Sequence, residues 1–278
     1  MRAEILYGFV LLSAIAHPVW NAMVKASSDR LLSMAAIPTV GAILGIAALP
    51  FVDWPSIESI KWLVLTSIAH YGYYALVVRS YAVGDLGVVY PLARGAVPVI
   101  TTAVAFVAIG ETLTVGTLIA VGLISLGILA LTFGMGAKPS AVGLALATSV
   151  TIASYSFLGG VGVRVSGSVL GFLAVAQIIN AGGIFGYVLL FRRRGISAFL
   201  YRHGATSIMA GIISTLGFLV YLLAVNQLPI GPITALRETS VVFGTLIGTF
   251  ILKEGFGFRR IAASLFVASG VVILGTMH

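Results

Sequence analysis

Long apolar runs follow one another through this chain, and the connectors between them are too short to fold on their own. Runs of about 18 or more apolar residues lie near 5–24, 31–51, 62–82, 86–109, 113–133, 141–163, 169–191, 205–225, 229–252 and 259–276. The connectors read KASSDR, DWPSIESIK, a Gly-Asp turn, GET, GMGAKPS, the loop around Arg164, RRRGISAFLYRHG, NQLP and KEGFGFR. A helix satisfies its own backbone donors and acceptors within one segment, which hydrocarbon demands. The fold expected is therefore all-α: a polytopic membrane protein with ten transmembrane helices.

Composition removes several other classes. Of 278 residues, 59% are apolar and 9% charged, which is too apolar for an ordinary soluble domain. The net charge of +8 comes from basic residues placed mostly in connectors, a pattern that speaks for membrane orientation and not for nucleic acid. The chain has no cysteine, so disulfides, iron–sulfur clusters and thiolate zinc sites are out. The first apolar run lacks a small-residue cleavage pattern and reads as a retained helix. No metal site and no cofactor is expected.

The chain also resembles itself. Residues 84–111 read GDLGVVYPLARGAVPVITTAVAFVAIGE, and 227–254 read QLPIGPITALRETSVVFGTLIGTFILKE. A shift of 143 residues carries Arg94 onto Arg237, Glu111 onto Glu254 and Gly127 onto Gly270. Gly8 and Gly143 open spans 1 and 6, which sets Trp20 opposite Tyr155. Ten spans divide into two sets of five, 1–137 and 138–278. Five is odd, so the second set enters the membrane the other way round, giving two inverted five-helix repeats. Three pairs of glycines, Gly41/Gly45, Gly182/Gly186 and Gly244/Gly248, are spaced as GxxxG; close packing inside the bundle and a homodimer seam both account for them.

Basic residues divide unequally between the two ends of the spans. One end carries Arg2, Lys61 and Arg164; the other carries ten, among them Lys25, Arg30, Lys138, Arg192, Arg193 and Arg194. The positive-inside rule then sets both termini outside the cytoplasm of a cell-membrane, multi-pass protein.

Arg94 lies well inside an apolar run and needs an account. Pro91 and Pro98 flank it and Gly95 follows it, so the backbone there is expected to loosen and act as a hinge, with Pro229 and Pro232 as the counterpart near Arg237. A guanidinium beside loosened backbone suits a carboxylate or phosphate. An ion pair with Glu238 across the bundle is the structural alternative. Glu238, beside Arg237, reads either as a titrating group coupling transport to protons or as a fixed counter-charge. Glu111 and Glu254 are expected to cap or anchor the helix that follows each. Around the arginines, His70 and Tyr74 share a face of span 3, and Tyr90 precedes Arg94 by one turn. His17, Trp20 and Asn21 lie beside Pro18, Tyr155 is in span 6, and Phe218 and Tyr221 are in span 8. Together these would line a cavity that is aromatic, polar and cationic, suited to a small amphipathic molecule with an anionic group. No catalytic motif is present, and an enzyme is not expected.

On the ten spans, the five-plus-five duplication, the segment GDLGVVYPLARGAVP and the GE and KE endings, the chain resembles the ten-helix EamA branch of the drug/metabolite transporter superfamily. The resemblance implies a basket of helices around a central cavity lined by spans 1, 3, 4, 6, 8 and 9, with spans 5 and 10 packed behind. It implies export or exchange of amino acids, drugs or other metabolites, with amino-acid exporters of the YddG type as the nearest functional guess. It also implies cytoplasmic termini, against the charge count. The expected partners are a small-molecule substrate and the lipid bilayer, with no nucleic acid. An integral membrane enzyme, a lipid-handling protein and a non-transporting membrane subunit remain the alternatives.

Overall fold

A computed structural model describes residues 3–25, 27, 29–83, 86–132, 138–192, 195–244 and 258–276. Its helices are α1 (Ala3–Lys25), α2 (Arg30–Ala48), α3 (Ile60–Val83), α4 (Leu86–Gly95), α5 (Val97–Ile109), α6 (Val115–Ala130), α7 (Pro139–Val165), α8 (Val169–Phe191), α9 (Ile196–Val225), α10 (Ile230–Glu238) and α11 (Phe258–Thr276). The described residues contain no strand. Among the described residues six stretches are long and apolar enough to cross a membrane: Ala3–Asn21, Leu31–Phe51, Val89–Ile109, Pro139–Val165, Val169–Phe191 and Ile196–Val225. α3 has 24 residues, but Lys61, His70, four tyrosines and Arg79 dilute its apolar character.

Helix starts follow local chemistry. Asp29 accepts from Leu31 and Leu32 at the head of α2, Thr114 from Thr117 at the head of α6, and Ser168 from Gly171 at the head of α8. Each such cap is worth about 1 kcal/mol. α1 packs on α9 and α3 on α7; α2 packs on α8, α5 on α10, and α6 on α11. The last crossing is tight in a reciprocal way. A Cβ on Gly127 would meet the Ala263 carbonyl at 2.8 Å, and one on Gly270 would meet the Ala120 carbonyl at 2.7 Å. Leu12, Ile43, Ile46, Leu126, Leu190 and Leu265 lie exposed on the outside of the bundle. Such a surface suits lipid.

The structure redraws several sequence boundaries. α9 begins at Ile196, inside the stretch RRRGISAFLYRHG that reads as connector. Gly195, at φ 101°, turns the chain, and Phe199 is then buried against a cluster holding Trp20, Val24 and Leu32. One buried aromatic, Phe199, thus anchors a helix that starts nine residues before the expected boundary. Span 4 is two helices that part at Gly95–Ala96. Span 9 is interrupted by a turn at Thr239, with helical backbone again at 240–244; Glu254 and Gly248 lie outside the described residues.

The GxxxG glycines divide. Gly41 is pressed against Gln177 and Thr215, and Gly45 against Ala174. That pair serves contact within the chain and is not free for a homodimer. Gly182 and Gly186 have open space where a Cβ would go.

Candidate functional site

The parting of α4 and α5 is built from proline and repaired by a serine. Pro98 has no N–H to offer the Arg94 carbonyl one turn back. From α7, the Ser149 hydroxyl lies 2.9 Å from the Ala93 carbonyl and 3.3 Å from that of Leu92. A side-chain donor thereby covers backbone that the break exposes, as an apolar interior requires. Gly95 contributes through close approach, since a Cβ there would meet the Leu129 side chain at 2.7 Å. Among the described residues the glycines with positive φ are Gly110, Gly167 and Gly195, and Gly95 is not one of them. Pro229 forms the N-cap of α10, and Pro232 sits in its first turn, where its missing donor costs nothing.

Arg94 ends α4 pointing at α10. Its Nη1 donates to Glu238 Oε2 at 2.7 Å. Arg237 donates to Glu238 Oε1 through Nε at 3.1 Å and Nη2 at 2.9 Å, and Nη2 also reaches Ser156 Oγ at 2.8 Å. Glu238 is fully buried, Arg94 is 2% exposed and Arg237 6%. Of the two accounts of Arg94, the geometry realises the cross-bundle ion pair, extended to a triad of two guanidiniums and one carboxylate. Aromatic rings back it: Tyr90 under Arg94 at 5.1 Å, and Tyr221 and Tyr155 under Arg237 at 4.3 and 5.7 Å. Tyr221 is held by bonds to the Ser156 carbonyl and Thr234, both at 3.1 Å.

In front of the triad lies a cavity of about 80 Å³. Arg94, Arg237, His17, Trp20, His70, Tyr74, Tyr155 and Phe218 all line it. A site of this size holds a few waters. His70 stacks on Tyr155 at 4.0 Å and meets Phe218 edge-on at 5.8 Å, which keeps the space narrow. Its Nδ1 is 3.0 Å from the Thr66 carbonyl, so Nδ1 carries a proton. Glu238, Tyr90, Tyr221 and Asn21 are not in the lining. The first three sit behind the arginines, and Asn21 turns back to donate to the His17 carbonyl at 3.0 Å.

Other lining residues escape the sequence pattern. Ser13, Met34, Ile37, Pro38, Tyr73, Gln177 and Gly217 also face the cavity, beside Ser214, which shares a face of span 8 with Phe218. Thus α2 and α8 contribute walls that the resemblance does not assign to them, whereas α6 and α11 contribute none. A lone Gln in the apolar run of α8 was the available signal: Gln177 is 7% exposed and donates to Thr215 at 3.0 Å.

A second polar cluster closes the end of the bundle where α5, α7 and α9 finish. Glu111 does not cap α6, the helix that follows it. Its carboxylate takes the N–H of Ile230, the first residue of α10, and pairs with Arg164 Nη2 at 2.7 Å. Arg164 also donates to the Val225 and Leu228 carbonyls, both at 2.8 Å. Beside it, Ser56 straps the α2–α3 connector onto the Val165 and Ser166 carbonyls. Among the described residues no group of three or more His, Asp or Glu is arranged to hold a metal.

No protein-family model and no curated protein matches the chain. One crystal structure is similar to it with a TM-score of 0.75 at 15% identity, covering 98% of this chain and 96% of its own. At that identity the likeness shows the fold alone: an all-helical bundle whose helices include six long and apolar enough to span a bilayer.

Proposed function

We propose that this chain is a secondary carrier of the EamA type in the drug/metabolite transporter superfamily, exporting or exchanging a small amphipathic metabolite by alternating access. The observation that carries the reading is the narrow cavity inside the bundle, walled by aromatic rings and by two buried arginines from matching places in the two halves. Ten helices in two inverted repeats, 1–137 and 138–278, form the moving parts. Packing supports this arrangement, because the pairs exchange into one another: α1 on α9 answers α3 on α7, while α2 on α8 and α6 on α11 answer themselves. Gly127 and Gly270, related by the 143-residue shift, meet each other's helices in the same way.

An amino acid, aromatic ones included, is the starting cargo class. The ten-to-three charge imbalance orients the chain in the inner membrane with both termini outside. The Glu111–Arg164 cluster then closes the external end. The test is flux in liposomes holding the purified chain, wild type against Arg94→Ala and Arg94→Lys. Both variants are expected to lose most transport, because neither reproduces the planar fork. Undiminished flux in both would remove Arg94 from the mechanism.

A further inference from the structure

Among the described residues the cavity wall holds two guanidiniums and no carboxylate. Glu238 lies behind them, fully buried, with Oε2 taken by Arg94 and Oε1 by Arg237. Two positive charges and one negative leave one positive. The other acids among the described residues stand at helix ends or in connectors: Glu4 in the first turn of α1, Asp29 at the head of α2, Asp53 and Glu58 before α3, and Glu111 after α5. None can balance that charge from within the bundle. An uncompensated charge in a low-dielectric interior is costly until a counter-ion arrives.

The wall also offers donors that no atom of the described residues accepts. Arg94 spends one of its five N–H groups on Glu238 and, among the described residues, none of the others. Trp20 Nε1 is 3.3 Å from His17 Nδ1. An indole N–H can only donate, so Nδ1 accepts and the imidazole proton sits on Nε2. That Nε2 is buried with no acceptor among the described residues, and His17 lines the cavity. A buried donor left in this state calls for an acceptor from outside the chain.

We infer that the ligand of this cavity is a monoanionic organic acid with an apolar body and no ammonium group. Its carboxylate meets Arg94 and His17, and its body lies against Trp20 and Phe218. A zwitterionic amino acid would bring a third cation beside the two guanidiniums, where the described wall offers it only neutral acceptors: the Gln177 amide, serine and tyrosine hydroxyls and His70 Nε2. A dianion would carry the total from +1 past neutrality to −1. A ring enters only when the His70–Tyr155 stack parts, because the cavity as it stands holds waters and no more. This inference rests on the carrier reading, in that it takes the cavity as the substrate site, and it replaces the amino-acid cargo class with acids that lack the ammonium group.

The experiment uses the full chain in nanodiscs at neutral pH and one phenylethyl unit in four charge states: 3-phenylpropanoate, phenylalanine, phenethylamine and 2-phenylsuccinate. Calorimetric titration is expected to show 3-phenylpropanoate binding at least tenfold more tightly than each of the others. His17→Phe, which keeps a ring and deletes the donor, is expected to weaken that binding several-fold. Phenylalanine or 2-phenylsuccinate binding as tightly as the monoanion would overturn the inference, as would no binding by any of the four. Flux in liposomes separates the two claims. The binding order without flux of any probe sinks the carrier reading and leaves the ligand class standing; flux that favours phenylalanine does the reverse.

Discussion

The carboxylate of Glu111 receives the backbone N–H of Ile230 through both oxygens, at 3.0 and 2.9 Å, across 119 residues of chain. One acid thus finishes a helix in the first half and starts a helix in the second. A carboxylate at a helix N-terminus is stabilised by the unpaired amides and the dipole there. Arg164 ties the same carboxylate to the last carbonyl of α9, that of Val225, and to the Leu228 carbonyl in the turn beyond.

Glu111→Ala is expected to cost about 2–3 kcal/mol, the range for a hydrogen-bonded charge left without its partner. Glu111→Gln keeps an acceptor for Ile230 and is expected to cost about half as much. Unfolding of the two variants in detergent checks the order. Hydrogen exchange at 226–231 should quicken in both, and equal costs would mean that the helix cap contributes nothing of its own.

Glu238 holds two guanidiniums at once, so its loss should be among the most damaging in the chain. Glu238→Gln is expected to destabilise by about 3–5 kcal/mol, the usual result of breaking a buried pair from one side. Adding Arg94→Met should recover part of that, because it removes the stranded charge. A double-mutant cycle reads the coupling; strict additivity would show that the triad does not act as a unit.

The crossing of α5 and α10 has no spare room. A Cβ on Gly231 would fall 2.3 Å from Thr102 Oγ1 and 3.0 Å from its backbone Cα. Gly231→Ala should therefore force the helices apart and cost about 1–3 kcal/mol as overpacking. Thr102→Gly should relieve it. If the single variant unfolds at the wild-type midpoint, the two helices are not as closely seated as described.

Ser149→Ala removes the hydroxyl that covers the α4–α5 break and leaves the Ala93 carbonyl bare. A loss of about 1–2 kcal/mol is expected. Ser149→Thr, which keeps the donor, should lose much less. Comparable losses in both would assign the effect to packing on α7.

Much of the helical plan was legible because bilayer-length apolar runs leave little else to form; 169–191 matches α8 residue for residue. The misreadings have local causes. Ile196–Gly204 reads as connector because Arg202 and His203 break its hydropathy, yet Phe199 has a cluster to join. At the site, Arg94 and Glu238 could be flagged as charges in apolar runs, but which acid met which cation depends on how α4 faces α10. Gln177 and Tyr73 line the cavity through rotations of α8 and α3 that no spacing reveals. Glu111 misled for the same reason: its nearest helix in sequence is α6, its nearest free amide belongs to α10.

α9 runs for 30 residues, about 45 Å at 1.5 Å per residue, against a hydrocarbon core of about 30 Å. Its opening turns carry Tyr201, 94% exposed, and Arg202, side chains at home among lipid headgroups. Because Ser214, Gly217 and Phe218 belong to the same rigid rod, any change in its tilt moves the cavity wall with it. Membrane thickness thereby becomes a mechanical input to the binding chamber: thicker lipids would stand the rod upright, thinner ones would lean it over, and the shape of the chamber would follow.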